Sequence, residues 1–127
     1  MGPTIRLMWL RVALVVCGVC CLGVWPLMVV WPSGFSWHPH GSHSEMMIVV
    51  VYAVLGVFLL LAVRDPLAHG SLIWFTVWSS VAHGGLMAWQ SIADPLERGH
   101  MLGDVPFLLV GALVLGVLMP RARAKMG

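Results

Sequence analysis

Long stretches without charged side chains are the feature of this sequence that most limits its fold. Residues 46–63 contain no charged residue, and residues 7–30 contain only Arg11. A hydrocarbon core is crossed by about 20 consecutive apolar residues in a helix. Because 60% of the chain is hydrophobic and only 9% is charged, a water-soluble fold of this size would lack the polar residues to cover its surface. The sequence therefore predicts an integral membrane protein.

Aspartate and proline mark where the helices begin and end. Asp65-Pro66 and Asp94-Pro95 each place an N-cap aspartate before a proline at the first helical position, where the missing N–H costs nothing. Pro106 is expected to kink or restart the last helix. These signals predict one all-α membrane domain over residues 1–127, a four-helix bundle with spans at about 7–30, 46–63, 67–92 and 100–119 and a basic tail at 120–127.

The basic residues predict the orientation of this bundle. Four helices place both termini on one side, and cytoplasmic loops carry an excess of lysine and arginine. Only Arg98 falls on the opposite side from the termini; the six on the terminal side are Arg6, Arg11, Arg64, Arg121, Arg123 and Lys125. We therefore expect both termini in the cytoplasm, and a bacterial inner membrane as the location. The net charge of +2 is too small to indicate nucleic-acid binding.

The opposite face of the predicted bundle collects most of the ionisable side chains. Two segments contribute them: His38, His40, His43 and Glu45 before the second helix, and Asp94, Glu97, Arg98, His100 and Asp104 before the last one. Pro39 and Gly41 indicate that the three histidines lie in a solvated loop. Glu45 differs from them because it enters the second helix.

His83 is predicted to lie inside the membrane, about 25 Å along the third helix from Pro66. Ionisable residues at such depth usually serve a function. We expect Glu45, His100 and Asp104 at a similar depth, so these three residues and His83 form a candidate metal site. Imidazole and carboxylate ligands suit transition metals such as zinc, iron or manganese, with copper a further candidate. The residues expected to surround the ligands are Tyr52, Ser79, Ser80 and Glu97.

Two other interpretations of His83 remain open. It can hydrogen-bond Tyr52 or a serine hydroxyl and only fix the register of the helices. Alternatively, His69 and His83 lie 14 residues apart on one predicted helix, a spacing that would bind two haems across the membrane if a second copy supplied the other axial ligands. By itself, His69 is expected to be an interfacial residue or a cap partner.

Two stretches of the sequence resemble a family of small, uncharacterised four-helix bacterial membrane proteins: AVRDPLAHGSLIWFTVWSSVAHGGLMAWQS and GHMLGDVPFLLVGALVLGVLMP. The resemblance covers about residues 45–120, which leaves the first helix outside it. It implies the four-helix arrangement and brings no assigned activity, cofactor or site residue.

Together these features predict a small non-enzymatic membrane protein, an accessory or structural subunit of a membrane assembly with a metal or proton site near its outer surface. The expected partners are the lipid bilayer and other membrane subunits or a second copy. Ala13, Cys17 and Cys21 form a ladder of small residues that favours close helix packing. The alternatives are a metal- or haem-dependent redox component and a transporter of small solutes or ions.

Overall fold

All regular structure in the described part of the chain is helical. The computed structural model describes residues 2–37 and 42–120, and every element in these ranges is an α-helix or a 3₁₀ helix. The predicted all-α class is therefore confirmed. Within these ranges three helical segments are long and apolar enough to cross a membrane: Pro3–Leu22, His43–Ala62 and Pro95–Leu118. His38, His40 and the predicted basic tail beyond Pro120 lie outside the described residues.

The first apolar stretch is divided into two helices. Helix α1 covers Pro3–Leu22 and α2 covers Val24–Val30, with Gly23 between them. Pro26 explains the break, because its ring clashes with the carbonyl group four positions earlier and it has no N–H to donate. The structure therefore differs from the single helix expected over residues 7–30. A one-turn helix, α3 at Pro32–Phe35, follows α2.

Side-chain caps begin the next two elements. Helix α4 covers His43–Ala62, and the Ser42 hydroxyl caps it by accepting a hydrogen bond from the Glu45 N–H at 3.1 Å. Asp65 then caps a 3₁₀ turn at Pro66–His69. The predicted helix start at this aspartate and proline is thus a 3₁₀ turn rather than the first turn of an α-helix.

The last two α-helices are joined by a 3₁₀ helix. Helix α5 covers Gly70–Ala93, the 3₁₀ helix covers Pro95–Met101, and α6 covers Asp104–Leu118. Pro106 lies in the first turn of α6, where its missing N–H has no helical partner to lose. Of the two expectations for Pro106, a kink or a restart, the restart is the one observed.

Helix α1 is central to the packing. It contacts α4 and α6, and α5 packs along α6. Large apolar side chains that are fully buried in the core include Leu10, Leu14, Leu59, Ile73 and Leu115. The α1–α4 crossing is close, since a Cβ on Gly56 would lie 2.7 Å from the carbonyl oxygen of Gly18. The small-residue ladder predicted on α1 is used within the chain, because Ala13 and Cys21 are buried.

Arginine side chains bind backbone carbonyls at the end of the molecule where α1 begins and α6 ends. Arg6 donates to the carbonyls of Leu118 at 3.0 Å and Val117 at 2.5 Å, which ties the start of α1 to the end of α6. The Arg11 guanidinium lies 3.4 Å from the carbonyl oxygen of Arg64, just after α4. We refer to Arg6, Arg11 and Arg64 as the arginine end.

Candidate functional site

Glu45 holds the segment before α4 against the start of that helix. Its Oε1 accepts hydrogen bonds from the Ser36 hydroxyl at 2.7 Å and the Trp37 backbone N–H at 2.9 Å. The side chain is buried and lies in the first turn of α4, where a carboxylate is favoured by the helix dipole. These bonds fix residues 36 and 37 across the N-terminus of α4.

His100 lies between two carboxyl groups and is fully buried. Its Nδ1 is 2.8 Å from Asp104 Oδ1, and its Nε2 is 3.0 Å from Glu97 Oε2. The same Nε2 is 3.1 Å from the backbone carbonyl oxygen of Ser36. Glu97 and His100 come from the 3₁₀ helix and Asp104 from the start of α6. The bend between these two elements therefore places carboxyl groups on opposite sides of one imidazole.

Trp37 covers this imidazole. The two rings are stacked with centroids 3.9 Å apart and planes 21° apart, and the indole N–H donates to Asp104 Oδ2 at 3.0 Å. Both oxygens of Asp104 are therefore engaged, one by His100 and the other by Trp37. We refer to the following residues as the polar cluster: Ser36, Trp37, Glu45, Glu97, His100 and Asp104.

Two glycines allow the polar cluster to form. Gly99 and Gly103 lie against the backbone of α3, and a Cβ on either would overlap a carbonyl oxygen, that of Ser33 or of Gly34 respectively. Because the obstacle is backbone, a larger residue would have to move the 3₁₀ helix away from α3. Such a movement would separate Ser36 from the 3₁₀ helix that carries His100.

The hydrogen bonds determine how many protons the cluster holds. A neutral imidazole has one N–H, whereas carbonyl and carboxylate oxygens only accept. Both His100 nitrogens face such oxygens, so either the ring is protonated on both nitrogens or Glu97 or Asp104 carries the additional hydrogen. In each case the cluster holds one proton more than a neutral imidazole with two ionised carboxylates. The contacts are thus those of a buried cluster in which an imidazole lies between two carboxyl groups.

Tyr52 and His83 form a second polar pair, between α4 and α5. The Tyr52 hydroxyl lies 2.7 Å from His83 Nδ1 and shares a hydrogen bond with it. Both side chains line a cavity of about 230 Å³ that also reaches Glu45 and Asp104. The pair and the polar cluster therefore border the same space.

The structure divides the four predicted metal ligands into two groups. Glu45, His100 and Asp104 belong to the polar cluster, whereas His83 is bonded to Tyr52. In the part of the chain that the structure describes, no group of three or more histidine, cysteine, aspartate or glutamate side chains is arranged to hold a metal ion. Metal binding stays a prediction from the sequence. The observed contact of His83 is the hydrogen bond with Tyr52 that the first alternative interpretation describes.

The structure also describes the three other residues that were expected, with Tyr52, to surround the ligands. Glu97 contacts His100 directly as a member of the polar cluster. Ser79 donates to the carbonyl of Thr76 at 3.3 Å within its own helix, and Ser80 is half-buried on the same helix.

His69 is a cap partner rather than a member of α5. It ends the 3₁₀ turn, and its Nδ1 donates to the carbonyl oxygen of Asp65 at 2.9 Å. Since α5 begins at Gly70, His69 and His83 do not lie on one continuous α-helix. Haem binding by His69 and His83 stays a prediction from the sequence.

Sequence reasoning missed Ser36 and Trp37. The contact of Ser36 with His100 joins positions 64 residues apart, and that of Trp37 with Asp104 joins positions 67 residues apart, so no local pattern reveals them. One usable signal was present. A buried tryptophan usually places its N–H on an acceptor, and Trp37 directly precedes the segment rich in histidine and acid.

The fold and the cluster define a class of protein: an all-helical chain with three helical segments able to cross a membrane and a buried acid–imidazole cluster at one end. The chain belongs to DUF6632, a family of unknown function whose model matches residues 5–126. The resemblance to an uncharacterised family is thereby confirmed, and it extends over the first helix as well. No curated protein and no solved structure matches the chain.

Proposed function

We propose that this protein is a multi-pass integral protein of a bacterial inner membrane, a four-helix bundle with both termini in the cytoplasm. Three apolar helical segments support the proposal. We assign α5 as the fourth crossing because it packs along α6 and leaves Phe75, Trp78 and Trp89 exposed by 65%, 66% and 70%, as a helix that meets lipid or another membrane helix does. The basic side chains of the arginine end support its assignment to the cytoplasmic side.

The role that the geometry supports best is that of a non-enzymatic accessory subunit with a buried proton site at its outer end. The observation that carries this proposal is the position of His100 between Glu97 and Asp104, with acceptor oxygens at both ring nitrogens. The same residues join the segment before α4 to the start of α6. A change of protonation would therefore change the contacts that hold this end of the bundle together.

We assign the exposed surface of α5 as the binding site for a partner, either another membrane subunit or a second copy of the chain. Helix α5 is as long as the segment Pro95–Leu118 but is not among the three apolar candidates. Its exposed residues include Gly85 and Gln90. A small residue permits close helix contact, and an amide in the membrane is stabilised by a partner's hydrogen-bonding groups. This face is therefore better suited to another helix than to lipid alone.

The proton site is tested by nitrogen-15 NMR of histidine-labelled protein, combined with infrared spectroscopy. We expect either two protonated nitrogens on His100, identified by their loss in His100→Gln, or one protonated carboxyl group that disappears in Glu97→Gln or in Asp104→Asn. Asp94→Asn is the matched control because Asp94 is an exposed capping residue. A His100 ring with a single N–H, in protein without a protonated carboxyl group, contradicts the proposal.

The accessory role is tested by purification of the protein from its native membrane in mild detergent. We expect a stoichiometric partner or a homo-oligomer. We also expect Gln90→Leu to weaken this association. A chain that stays monomeric in both detergent and lipid nanodiscs contradicts the accessory role. Orientation is tested separately by labelling single cysteines placed beside Arg64 and Arg98, of which only the second should be accessible from outside.

A further inference from the structure

The cavity beside the polar cluster has walls suited to a ring rather than to a straight chain. It lies between α2, α4, α5 and α6 and has a volume of about 230 Å³. Aromatic and thioether side chains form much of its lining: Met28, Phe35, Trp37, Met87 and Phe107. Aromatic rings pack against one another in defined arrangements, and methionine sulfur packs favourably at ring edges. The volume is about one and a half times that of a cavity known to take benzene, about 150 Å³.

The Tyr52–His83 pair supplies this cavity with one hydrogen-bond donor. If the tyrosine hydroxyl donates to His83 Nδ1, the neutral imidazole carries its hydrogen on Nε2. If Nδ1 donates instead, the tyrosine keeps its hydroxyl hydrogen. In both cases the bond between Tyr52 and His83 leaves one hydrogen that it does not use, and both side chains line the cavity.

We propose that this cavity binds the ring of a membrane-soluble carbonyl compound of the quinone type. The ring lies among the aromatic and methionine side chains, and a ring carbonyl oxygen accepts the remaining hydrogen of the Tyr52–His83 pair. The hydrocarbon tail leaves through the open side of the cavity. Binding involves no covalent or redox step, and it goes beyond the accessory role because it does not depend on the proton site or on a protein partner.

Removal of the donor tests the head-group part of the proposal. The probe is decylubiquinone, titrated by calorimetry into protein in lipid nanodiscs, with empty nanodiscs as the blank. Tyr52→Phe and His83→Leu each leave one donor, so each should weaken binding less than the double variant. We expect the double variant to weaken binding about threefold to tenfold, the loss of one hydrogen bond. Decylbenzene, which has the same tail and no oxygen, should not distinguish the double variant from the original chain.

Two neighbouring valines provide the steric test. Val49 lines the cavity, whereas Val50 is 59% exposed and is not part of the lining. Val49→Trp should fill the cavity and abolish decylubiquinone binding, and Val50→Trp should leave it unchanged, with helix content checked by circular dichroism in both. Binding that survives Val49→Trp in folded protein overturns the proposal. Equal affinity for decylubiquinone and decylbenzene overturns the assignment of a carbonyl ligand.

Discussion

The two ends of the molecule use polar side chains in different ways. At the arginine end, exposed or half-buried guanidinium groups bind backbone carbonyls at the ends of α6 and α4. At the other end, the carboxyl groups of Glu97 and Asp104 are buried, and both contact the buried imidazole of His100. An exposed charge that loses its partner returns to water, whereas a buried one does not. Removal of one partner from the cluster should therefore destabilise the protein far more than removal of an arginine side chain.

Among the variants considered, Asp104→Leu should lower the free energy of unfolding the most. The substitution removes the acceptor of both His100 Nδ1 and the Trp37 indole N–H. Breaking a buried charged pair in this way costs about 3–5 kcal/mol. The measurement is the free energy of unfolding in mixed detergent micelles. Asp94→Leu removes an exposed cap and should cost only about 1 kcal/mol; equal losses for the two variants would refute the contrast between buried and exposed carboxylates.

Gly103→Ala tests whether close backbone approach is required for the cluster. The added methyl group would overlap the carbonyl of Gly34, and overpacking of this kind costs about 1–3 kcal/mol. We also expect the fluorescence of Trp37 to change as it separates from His100. The control is Gly85→Ala, since a Cβ at Gly85 meets nothing within 4 Å. If both variants melt at the same temperature, the close approach is not needed.

Arg6→Ala tests the stronger contact at the arginine end. The side chain donates to two carbonyls at the C-terminus of α6, a position where a cation also interacts well with the helix dipole. Because Arg6 is half-buried, we expect a loss of about 1 kcal/mol in the free energy of unfolding. A loss as large as that of Asp104→Leu would mean that the two ends do not differ as described.

Arg11→Ala should have the smallest effect. Arg11 is exposed, and its contact with the Arg64 carbonyl is 3.4 Å long. Exposed substitutions of this kind stay within about 0.5 kcal/mol. Thermal unfolding followed by circular dichroism would show the difference from Arg6→Ala. A larger loss of stability in Arg11→Ala than in Arg6→Ala would contradict this ranking.

The sequence predicted the helices well wherever local chemistry decides their ends. The second predicted span, residues 46–63, corresponds to α4 at His43–Ala62, and its earlier start follows from the Ser42 cap. The break at Gly23 was missed although Pro26 signals it, because an apolar run by itself has no boundary. Local signals thus predict which segments are helical and roughly where they lie, and prolines decide where a helix is interrupted.

Part of the candidate site was predictable from the sequence because some of its residues lie close together in the chain. Glu97, His100 and Asp104 follow one another at short spacing, so their proximity is a local property of the 3₁₀ helix and the start of α6. Ser36 and Trp37 reach them from a distant segment. Their positions depend on the approach of α3 to the 3₁₀ helix, which only the tertiary packing determines.

The pairing of the helices has a consequence for the order in which the protein can assemble during synthesis. The most extensive contacts join α1 with α4 and α5 with α6, and within each pair the two helices are consecutive long helices of the chain. Each pair can therefore form as a hairpin soon after its second helix emerges from the ribosome. The polar cluster, in contrast, combines residues 36–45 with residues 97–104, so it can close only after most of the chain has been made.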